Sequence, residues 1–238
     1  MKDNVMFLLA AGSSTRVENL ETKKQFYRDS IYKKPVFLYP LLTSLKNDLF
    51  KKVYLVIAKE DMKIVQDILE EFSVKDEKLV LVEGGTSRPH SVLNAIKRVE
   101  ADKFNPENTN VVIHDACRPF VSVEDFEKLI EKLKEKESVS YAIGVVDTLI
   151  EKYPFPKAVD RDNFKRIQTP QAFHLSTLIK AYQVTSNFSN TDEMQIVSKI
   201  TKDFTTIPGK LRLFKITYDE DIELLEILLK GYYELHNK

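Results

Sequence analysis

Short, continuous apolar runs alternate along this chain with stretches in which apolar residues recur every three or four positions. A continuous apolar run is typical of a strand covered on both faces, and the wider spacing is typical of an amphipathic helix. The predicted strands are Met6–Leu9, Val53–Ala58, Leu79–Val82, Asn110–His114 and Ser140–Val146. The predicted helices are Pro35–Leu45, Glu60–Phe72, Ser91–Val99, Val123–Lys136, a segment near Leu175–Ala181, and Tyr218–Leu235. This alternation predicts an α/β fold with a mostly parallel, twisted sheet and helices on both faces.

The alternation breaks between Val146 and about Arg166. This segment contains Pro154 and Pro156 and no long helical pattern, which is typical of an inserted hairpin and equally of a surface loop. We interpret residues 1–238 as a single domain with a protruding β-arm at about residues 146–166. After the arm, a capping box of Thr217 and Glu220 is predicted to open the last helix.

Composition narrows the function classes without identifying one. The 36 basic and 36 acidic residues cancel, so no overall charge draws the chain to nucleic acid or to a membrane surface. No apolar run approaches the roughly 18 residues that cross a bilayer, and the N-terminus lacks the long apolar segment of a signal peptide. The single cysteine, Cys117, excludes an internal disulfide and a cysteine-rich metal site. We therefore expect a soluble, cytoplasmic protein.

A loop of very small residues, 10–14, follows the first predicted strand and is followed by the cations Arg16 and Lys24. Small side chains let backbone N–H groups approach a phosphate closely, and the cations could neutralise its oxygens. The loop has neither the Gly-Lys-Ser/Thr of a P-loop nor the pattern G-x-G-x-x-G. The alternative interpretation is an ordinary loop followed by solvated cations.

Polar and small residues also follow the third and fourth predicted strands. The third is followed by Gly84, Gly85, Arg88 and Ser91, and the fourth by Asp115, Arg118 and Pro119. Ligands of parallel sheets bind at the carboxyl ends of the strands, so these residues are predicted to converge. Asp115 is a candidate Mg²⁺ ligand or, alternatively, the cap of a turn.

Three further residues near these strand ends have side chains that could act chemically. Lys215 is a candidate phosphate clamp or a solvated lysine. Cys117 and His114 show no nucleophile–base pattern, so both are interpreted as structural.

Taken together, these segments resemble the sugar-phosphate cytidylyltransferases. LLAAGSSTR, KKQF, GGTSRPHSV, HDACRPF, DT, RIQTPQAF, TDE and FKIT occur in that family's order over nearly the whole chain. The family includes 2-C-methyl-D-erythritol 4-phosphate and ribitol-5-phosphate cytidylyltransferases. The resemblance implies a Rossmann-like nucleotidyltransferase fold and the cofactor Mg²⁺.

The resemblance also implies roles for individual positions. The implied nucleotide-binding residues are Ala10, Ala11, Gly12, Ser13, Gly84, Gly85, Thr86, Arg88, Ser91 and Ala116. The implied catalytic residues are Arg16, Lys24, Arg161 and Lys215, the implied metal ligand is Asp115, and the implied acceptor-binding residues are Arg118, Thr148, Thr169 and Thr191. Thr148 and Arg161 lie on the arm, which in the family reaches into the partner subunit's site. A homodimer joined through the arm is therefore implied.

The implied reaction joins CTP to 2-C-methyl-D-erythritol 4-phosphate, giving CDP-methylerythritol and pyrophosphate for isoprenoid synthesis. The implied partners are thus CTP, a polyol phosphate and a second copy of the chain, with no nucleic acid and no membrane. Two alternatives stay open: ribitol 5-phosphate or another polyol phosphate as acceptor, and a catalytically silent nucleotide-binding protein. Thr86 and Leu213 depart from the family pattern, so they bear on the detail of nucleotide and acceptor binding.

Overall fold

The computed structural model describes residues 2–14, 20, 22–46, 48–151, 156–185 and 192–236, except for the side chains of residues 235 and 236. The strands are β1 Asp3–Leu9, β2 Lys52–Ile57, β3 Leu79–Glu83, β4 Thr109–Asp115, β5 Ser138–Gly144, β6 Leu149–Glu151, β7 Lys157–Val159, β8 Lys165–His174 and β9 Phe204–Pro208. The helices are α1 Leu38–Leu45, α2 Met62–Glu71, α3 Arg88–Ala101, α4 Val123–Lys132, α5 Leu175–Val184, α6 Glu193–Val197 and α7 Asp219–His236.

Seven of these strands form one sheet in the order β3-β2-β1-β4-β8-β5-β9. β1 pairs in parallel with β2 and β4, β2 with β3, and β5 with β9, whereas β8 runs antiparallel to both of its neighbours. The predicted mostly parallel α/β sheet is therefore confirmed. β1 lies inside the sheet between β2 and β4, which agrees with its continuous apolar run.

The core lies on both faces of the sheet because side chains alternate along each strand. In β1, Met6 and Leu8 pack on the face covered by α1, α2 and α4. Val5 and Phe7 pack on the opposite face, which α3, α5 and α6 cover. All four side chains are 0% exposed. Burial on both sides accounts for the unbroken apolar run in the sequence.

Several predicted boundaries were wrong by a few residues. β5 ends at Gly144 rather than Val146, and α4 ends at Lys132 rather than Lys136. α1 begins at Leu38, after two turn residues that follow Pro35. α3 begins at Arg88, three residues before the predicted start, because Ser87 caps it by accepting a hydrogen bond from the His90 N–H.

Strands β8 and β9 and helix α6 were not predicted. β8 contains Gln168, Thr169 and Gln171, which are polar yet buried, so its sequence lacks the apolar run on which the prediction depended. β9 is an edge strand of mixed polarity, and α6 has only five residues. Periodicity is a weak signal in elements of these kinds.

The segment that breaks the alternation contains a pair of short strands, which agrees with the hairpin interpretation of its sequence rather than the surface loop. β6 and β7 pair antiparallel, with Leu149 opposite Val159 and Glu151 opposite Lys157. Val146 and Ile150 are 73% and 63% exposed. The hairpin is a separate two-stranded sheet, not part of the seven-stranded one.

Helix α7 packs through Ile222, Leu225 and Leu229 on a third apolar cluster, next to Cys117 and Ile216. The predicted capping pair of Thr217 and Glu220 is wrong, since the acidic residue at this helix start is Asp221 and not Glu220. Asp221 accepts the N–H groups of Thr217 and Tyr218 at 2.7 and 2.9 Å, because the helix begins one residue later than predicted. No helix in the described part of the chain is long and apolar enough to cross a membrane.

Candidate active site

A cavity of about 310 Å³ opens where the carboxyl ends of β1, β3 and β4 meet. Its wall contains residues from all three strand ends and from the segment before α7. The lining residues include Ala10, Ala11, Gly12, Ser13, Ser14, Lys24, Gln25, Gly85, Thr86, Arg88, Ser91, Asp115, Cys117 and Lys215. The predicted convergence of the strand ends is therefore present in the structure.

The small-residue loop, residues 10–14, leaves β1 between β2 and β4. The N–H of Ala10 donates to the Val56 carbonyl at 2.8 Å, which anchors the loop to β2. Ser14 has a φ of 61°, a left-handed backbone conformation that is uncommon for a residue with a side chain. A Cβ on Gly12 would meet no atom within 4 Å, so the wall is open at that point. Arg16 lies outside the described residues.

The two glycines after β3 have different surroundings. Gly85 lines the cavity, and its N–H donates to the Ser91 hydroxyl at 3.0 Å. Gly84 lies behind the wall, where an added Cβ would be 2.6 Å from the Ala11 Cβ. The small size of Gly84 thus lets the loops after β1 and β3 pack together.

The adjacent lysines Lys23 and Lys24 face different parts of the molecule. Lys24 is 6% exposed and lines the cavity. The Nζ of Lys23 lies 2.6 Å from Asp61 and 3.1 Å from Glu60, at the start of α2. These two carboxylates raise the pKa of Lys23, although burial opposes them.

Asp115 ends β4, beside Leu9 in the sheet register, and its carboxylate contacts three cations. Lys215 Nζ is 2.9 Å and Arg118 Nε 3.5 Å from Oδ2, and Arg88 Nε is 3.4 Å from Oδ1. Burial alone would raise the pKa of this carboxyl, but the three positive charges outweigh burial and hold the pKa well below its usual value. Asp115 is therefore an ionised carboxylate at neutral pH.

Arg88 also contacts Glu193 of α6, a fully buried residue that the sequence interpretation did not include. Burial raises the pKa of Glu193, and the Arg88 charge opposes that rise. The Tyr182 hydroxyl donates to the other Glu193 oxygen at 3.3 Å. Arg88 is thus held between Asp115 and Glu193. Its place as the last residue of the TDE motif is the only signal in the sequence that could have indicated it.

Beneath Asp115, His114 and Thr169 form a buried hydrogen-bonded layer. The Asp115 N–H donates to the Thr169 hydroxyl at 3.0 Å, and that hydroxyl is 3.1 Å from His114 Nδ1. His114 Nε2 lies 3.1 Å from the Arg118 carbonyl oxygen. Burial lowers the pKa of His114 to about 4, so its ring is neutral and structural at neutral pH.

Several residues with implied ligand contacts lie behind the wall rather than on it. Thr169 is 2% exposed and Ala116 is 0% exposed, its N–H donating to the Leu9 carbonyl. Arg118 donates to the Leu213 carbonyl and is 9% exposed. In this arrangement Thr169 and Arg118 contact Asp115 itself, and Ala116 joins the residue after Asp115 to the end of β1. Thr191 lies outside the described residues.

Thr148 and Arg161 are exposed on the arm and do not line the cavity. Arg161 donates to the Val146 carbonyl of the same arm. Within the described residues, a single chain thus brings most of the implied nucleotide-binding residues together around the cavity. The two arm residues lie outside that cavity.

The cavity offers charge stabilisation and no obvious nucleophile. Burial raises the pKa of the Cys117 thiol to about 11, so the thiol is protonated at neutral pH. No group of three or more His, Cys, Asp or Glu side chains among the described residues could hold a metal ion unaided. A divalent cation here would need further ligands from a bound molecule. Gln25 also lines the cavity, and periodicity gave no signal for it.

Comparison with known proteins identifies one family. Residues 5–231 match the family model described as 2-C-methyl-D-erythritol 4-phosphate cytidylyltransferase. The chain is 32% identical over 231 residues to the protein of that name from Thermotoga neapolitana, covering 96% of this chain and 98% of that one.

Solved structures give the same result. The 4-diphosphocytidyl-2C-methyl-D-erythritol synthase of Anaerococcus prevotii is 28% identical with a TM-score of 0.78, covering 96% of each chain. The bifunctional IspDF of Campylobacter jejuni is 27% identical with a TM-score of 0.76, over 93% of this chain. The chain spans only about half of that bifunctional protein, 53% of its length.

Proposed function

This chain belongs to the 2-C-methyl-D-erythritol 4-phosphate cytidylyltransferase family, and we propose that the cavity beside Asp115 is where it carries out the family's reaction. The enzyme is a nucleotidyltransferase of isoprenoid precursor synthesis. It converts CTP and 2-C-methyl-D-erythritol 4-phosphate to CDP-methylerythritol and pyrophosphate. Ribitol 5-phosphate, the alternative acceptor, is not favoured.

In the proposed mechanism, an oxygen of the acceptor phosphate attacks the α-phosphorus of CTP in line. The new P–O bond forms as the bond from the α-phosphorus to the bridging oxygen breaks, and pyrophosphate leaves with that oxygen. Such transfers depend on positioning and on neutralising phosphate charge. Lys24, Lys215 and Arg88 line the cavity and supply positive charge, and the protonated Cys117 is not needed. Arg16 belongs to the proposal by its place in the sequence motif.

The observation that carries the proposal is the imbalance of charge around the cavity. Asp115 contacts three cations, one of which, Arg88, also pairs with Glu193. Lys24 adds a fourth positive charge on the wall, so four cations face two acidic side chains. A site with this excess of positive charge favours a polyanion such as a nucleoside triphosphate. The adjoining small-residue loop has N–H groups that can approach phosphate oxygens.

Mg²⁺ is part of the proposal, with Asp115 as the residue that would hold it. The carboxylate is ionised and lines the cavity, and one hard oxygen donor fits a cation that takes its remaining ligands from phosphates and water. When bound, the ion would supply further neutralisation of phosphate charge. The residues of this chain fit that role because Asp115 is the one carboxylate in the described wall.

We also propose a homodimer in which the arm completes the partner's site. The arm carries the acceptor-binding candidate Thr148 and the catalytic candidate Arg161, for which we propose a contact with the acceptor phosphate. Its Val146 and Ile150 expose apolar surface. A two-stranded hairpin is marginally stable alone, so an arm of this kind gains from packing on a second copy. Tyr153 and Phe155, the arm aromatics expected at such an interface, lie outside the described residues.

A cytoplasmic location is proposed because CTP is a cytoplasmic metabolite.

Pyrophosphate release tests the function directly. The enzyme is incubated with each nucleoside triphosphate in turn and with each acceptor separately. We expect release with CTP and 2-C-methyl-D-erythritol 4-phosphate, and little with ATP, GTP or UTP. Equal turnover with a purine triphosphate would contradict the nucleotide assignment. Turnover with ribitol 5-phosphate but not methylerythritol phosphate would reassign the acceptor.

A further inference from the structure

Gln25 is a buried polar residue of the cavity wall that the mechanism above does not use. It is 1% exposed and lies in the short 3-10 turn Lys24–Phe26. Its Nε2 donates to the carbonyl oxygens of Ala10 and Gly12 at 3.0 and 2.8 Å. Its Oε1 accepts from the Ser14 hydroxyl at 2.9 Å. One side chain therefore bonds three of the five residues in the small-residue loop.

The two carbonyl bonds determine where the loop's N–H groups point. In a planar trans peptide, the C=O and the following N–H point in opposite directions. Because the carbonyls of Ala10 and Gly12 point to Gln25, the N–H groups of Ala11 and Ser13 point away from it. Neither N–H donates to an acceptor in the described part of the chain, and both residues line the cavity.

The Ser14 hydroxyl extends this arrangement to the catalytic lysine candidate. While donating to Gln25, Ser14 Oγ accepts the backbone N–H of Lys24 at 3.0 Å. The amide orientation of Gln25 is fixed by its partners, because only an NH₂ group can donate to two carbonyls. A carboxylate of the same shape would instead face two carbonyl oxygens. The loop and the turn carrying Lys24 are thus joined through one glutamine amide.

We propose that Gln25 is a positioning residue for the triphosphate of CTP. It holds the carbonyls of Ala10 and Gly12 inward, so that the N–H groups of Ala11 and Ser13 face the phosphate oxygens. The proposal rests on the proposed function in one respect, namely that this cavity binds the nucleotide. Gln25 acts through the loop and touches no reacting atom itself.

A second buried glutamine offers a matched control. Gln168 in β8 is 7% exposed, and its amide makes two bonds to Lys210, donating to the carbonyl and accepting from the N–H, each at 3.0 Å. It does not line the cavity. Gln168→Met removes a comparable buried amide clamp without touching the small-residue loop.

The experiment compares Gln25→Met with Gln168→Met and the wild type. We measure Tm, kcat and the KM of each substrate, together with the Kd of pyrophosphate and of cytidine. For Gln25→Met we expect the KM of CTP and the Kd of pyrophosphate to rise at least about tenfold, as expected for misdirected charge-assisted hydrogen bonds. The KM of the acceptor and the Kd of cytidine should stay within about twofold, since the loop N–H groups contact neither. Gln168→Met should lower Tm while leaving every KM unchanged.

A lowered Tm with unchanged KM for CTP would give Gln25 the same structural role as Gln168 and overturn the proposal. An equal rise in both KM values would overturn it too, because it would indicate general distortion. Failure of the proposed function is distinguishable, since the wild type would then bind neither CTP nor pyrophosphate.

Two further variants keep the test decisive if Gln25→Met does not fold. Ser14→Ala removes the hydroxyl that joins Gln25 to Lys24 and should raise the KM of CTP about threefold. Gln25→Glu keeps the shape but places a carboxylate oxygen against the two carbonyls, so it should weaken pyrophosphate binding more than Ser14→Ala does. Unchanged KM for CTP in both variants would overturn the proposal.

Discussion

Asp115, at the carboxyl end of β4, is buried and contacts three cations from three different segments. Arg161 on the arm is exposed and donates to the carbonyl of Val146 in the same hairpin. The cavity residues are fixed by the sheet, by α3 and by the segment before α7. The arm residues are fixed by two strands of three residues each.

This difference suggests how the two substrates are handled. Charges that are paired and buried before the ligand arrives lose little freedom on binding, and such preorganised groups stabilise charge effectively. An exposed arginine on a short hairpin has more freedom and more solvent around it, so its contribution depends on what the hairpin packs against. The predictions below test the cavity first and the arm last, in order of decreasing effect.

The largest effect is expected from removing a cavity cation. Lys24→Met should lower kcat about 10²- to 10³-fold, as the loss of one preorganised charge-stabilising group does. Steady-state pyrophosphate release measures this, and thermal unfolding checks that the variant is folded.

The neighbouring lysine supplies the matched control. Lys23→Met removes the same side chain one residue earlier, where it pairs with Asp61 and Glu60. We expect kcat within about twofold of wild type, because partly exposed ion pairs away from a site contribute little. Similar losses in both variants would show that the cavity is not specifically involved.

Asp115→Asn should have the next largest effect. A neutral amide is a poorer ligand for a hard cation, so half-maximal activity should need at least about tenfold more Mg²⁺. The substitution also leaves three cations without their shared anion, so Tm should fall. Asp203→Asn is the control, since Asp203 pairs with Lys136 at 2.6 Å on the surface. Undiminished wild-type activity in EDTA would remove Mg²⁺ from the mechanism.

The lowered pKa of His114 predicts that acid reduces the stability of the folded chain. Burial lowers its pKa from 6.5 to about 4, so between these pH values the unfolded chain binds a proton that the folded chain does not. The free energy of unfolding should therefore fall as pH falls through that window, by up to about 3 kcal/mol. The loss should be complete near the folded pKa.

Urea unfolding of His114→Gln at several pH values measures this contribution. The variant should lose less stability than the wild type between pH 6.5 and about 4, the window set by the two pKa values of His114. His174→Gln is the control, because burial also lowers the pKa of His174 but its imidazole contacts the Leu133 carbonyl, far from Asp115 in the sheet. Identical pH slopes for wild type and His114→Gln would contradict the prediction.

Most of the fold could be predicted because buried parallel strands leave an apolar run in the sequence. β1, β2 and β4 are buried on both faces, and each was predicted within a few residues. β8 was missed because it places polar side chains in the core and pairs them there. Gln171, for example, is 0% exposed and donates to Asp192 at 2.6 Å. The apolar periodicity of a sequence does not reveal that a buried polar side chain is hydrogen-bonded to a residue distant in the chain.

The candidate site likewise contains residues that could be predicted from the sequence and residues that could not. Its strand-end members could be predicted because parallel strands bring their carboxyl ends together, and Lys24, Asp115 and Lys215 do line one cavity. Gln25 and Glu193 belong to the motifs KKQF and TDE, but the apolar pattern and the strand ends assign them no role. Their roles arise from hydrogen bonds to residues distant in sequence. The proposed contribution of the arm requires a second copy, and the structure of a single chain does not determine that contact.

The smallest single-variant effect is expected on the arm. Arg161→Ala should raise the KM of the acceptor phosphate about tenfold and leave the KM of CTP unchanged, since one charge-assisted contact is lost. Arg166→Ala, an exposed arginine at the start of β8, is the control and should change neither constant. If Arg161 instead served its own chain's site, the kinetic result would be the same, so a mixing experiment is needed.

Mixing Lys24→Met with Arg161→Ala distinguishes a shared site from a site built by one chain. Random exchange makes half of the dimers mixed, and a shared site leaves one site in each mixed dimer with both residues intact. At low acceptor concentration, activity should then rise from about a twentieth to about a quarter of wild type, given the effects above. Mixing Lys24→Met with Asp115→Asn should give no such rise, because both residues belong to the same chain's cavity. A monomer by sedimentation, or no rise after verified exchange, would mean that the arm folds back on its own domain.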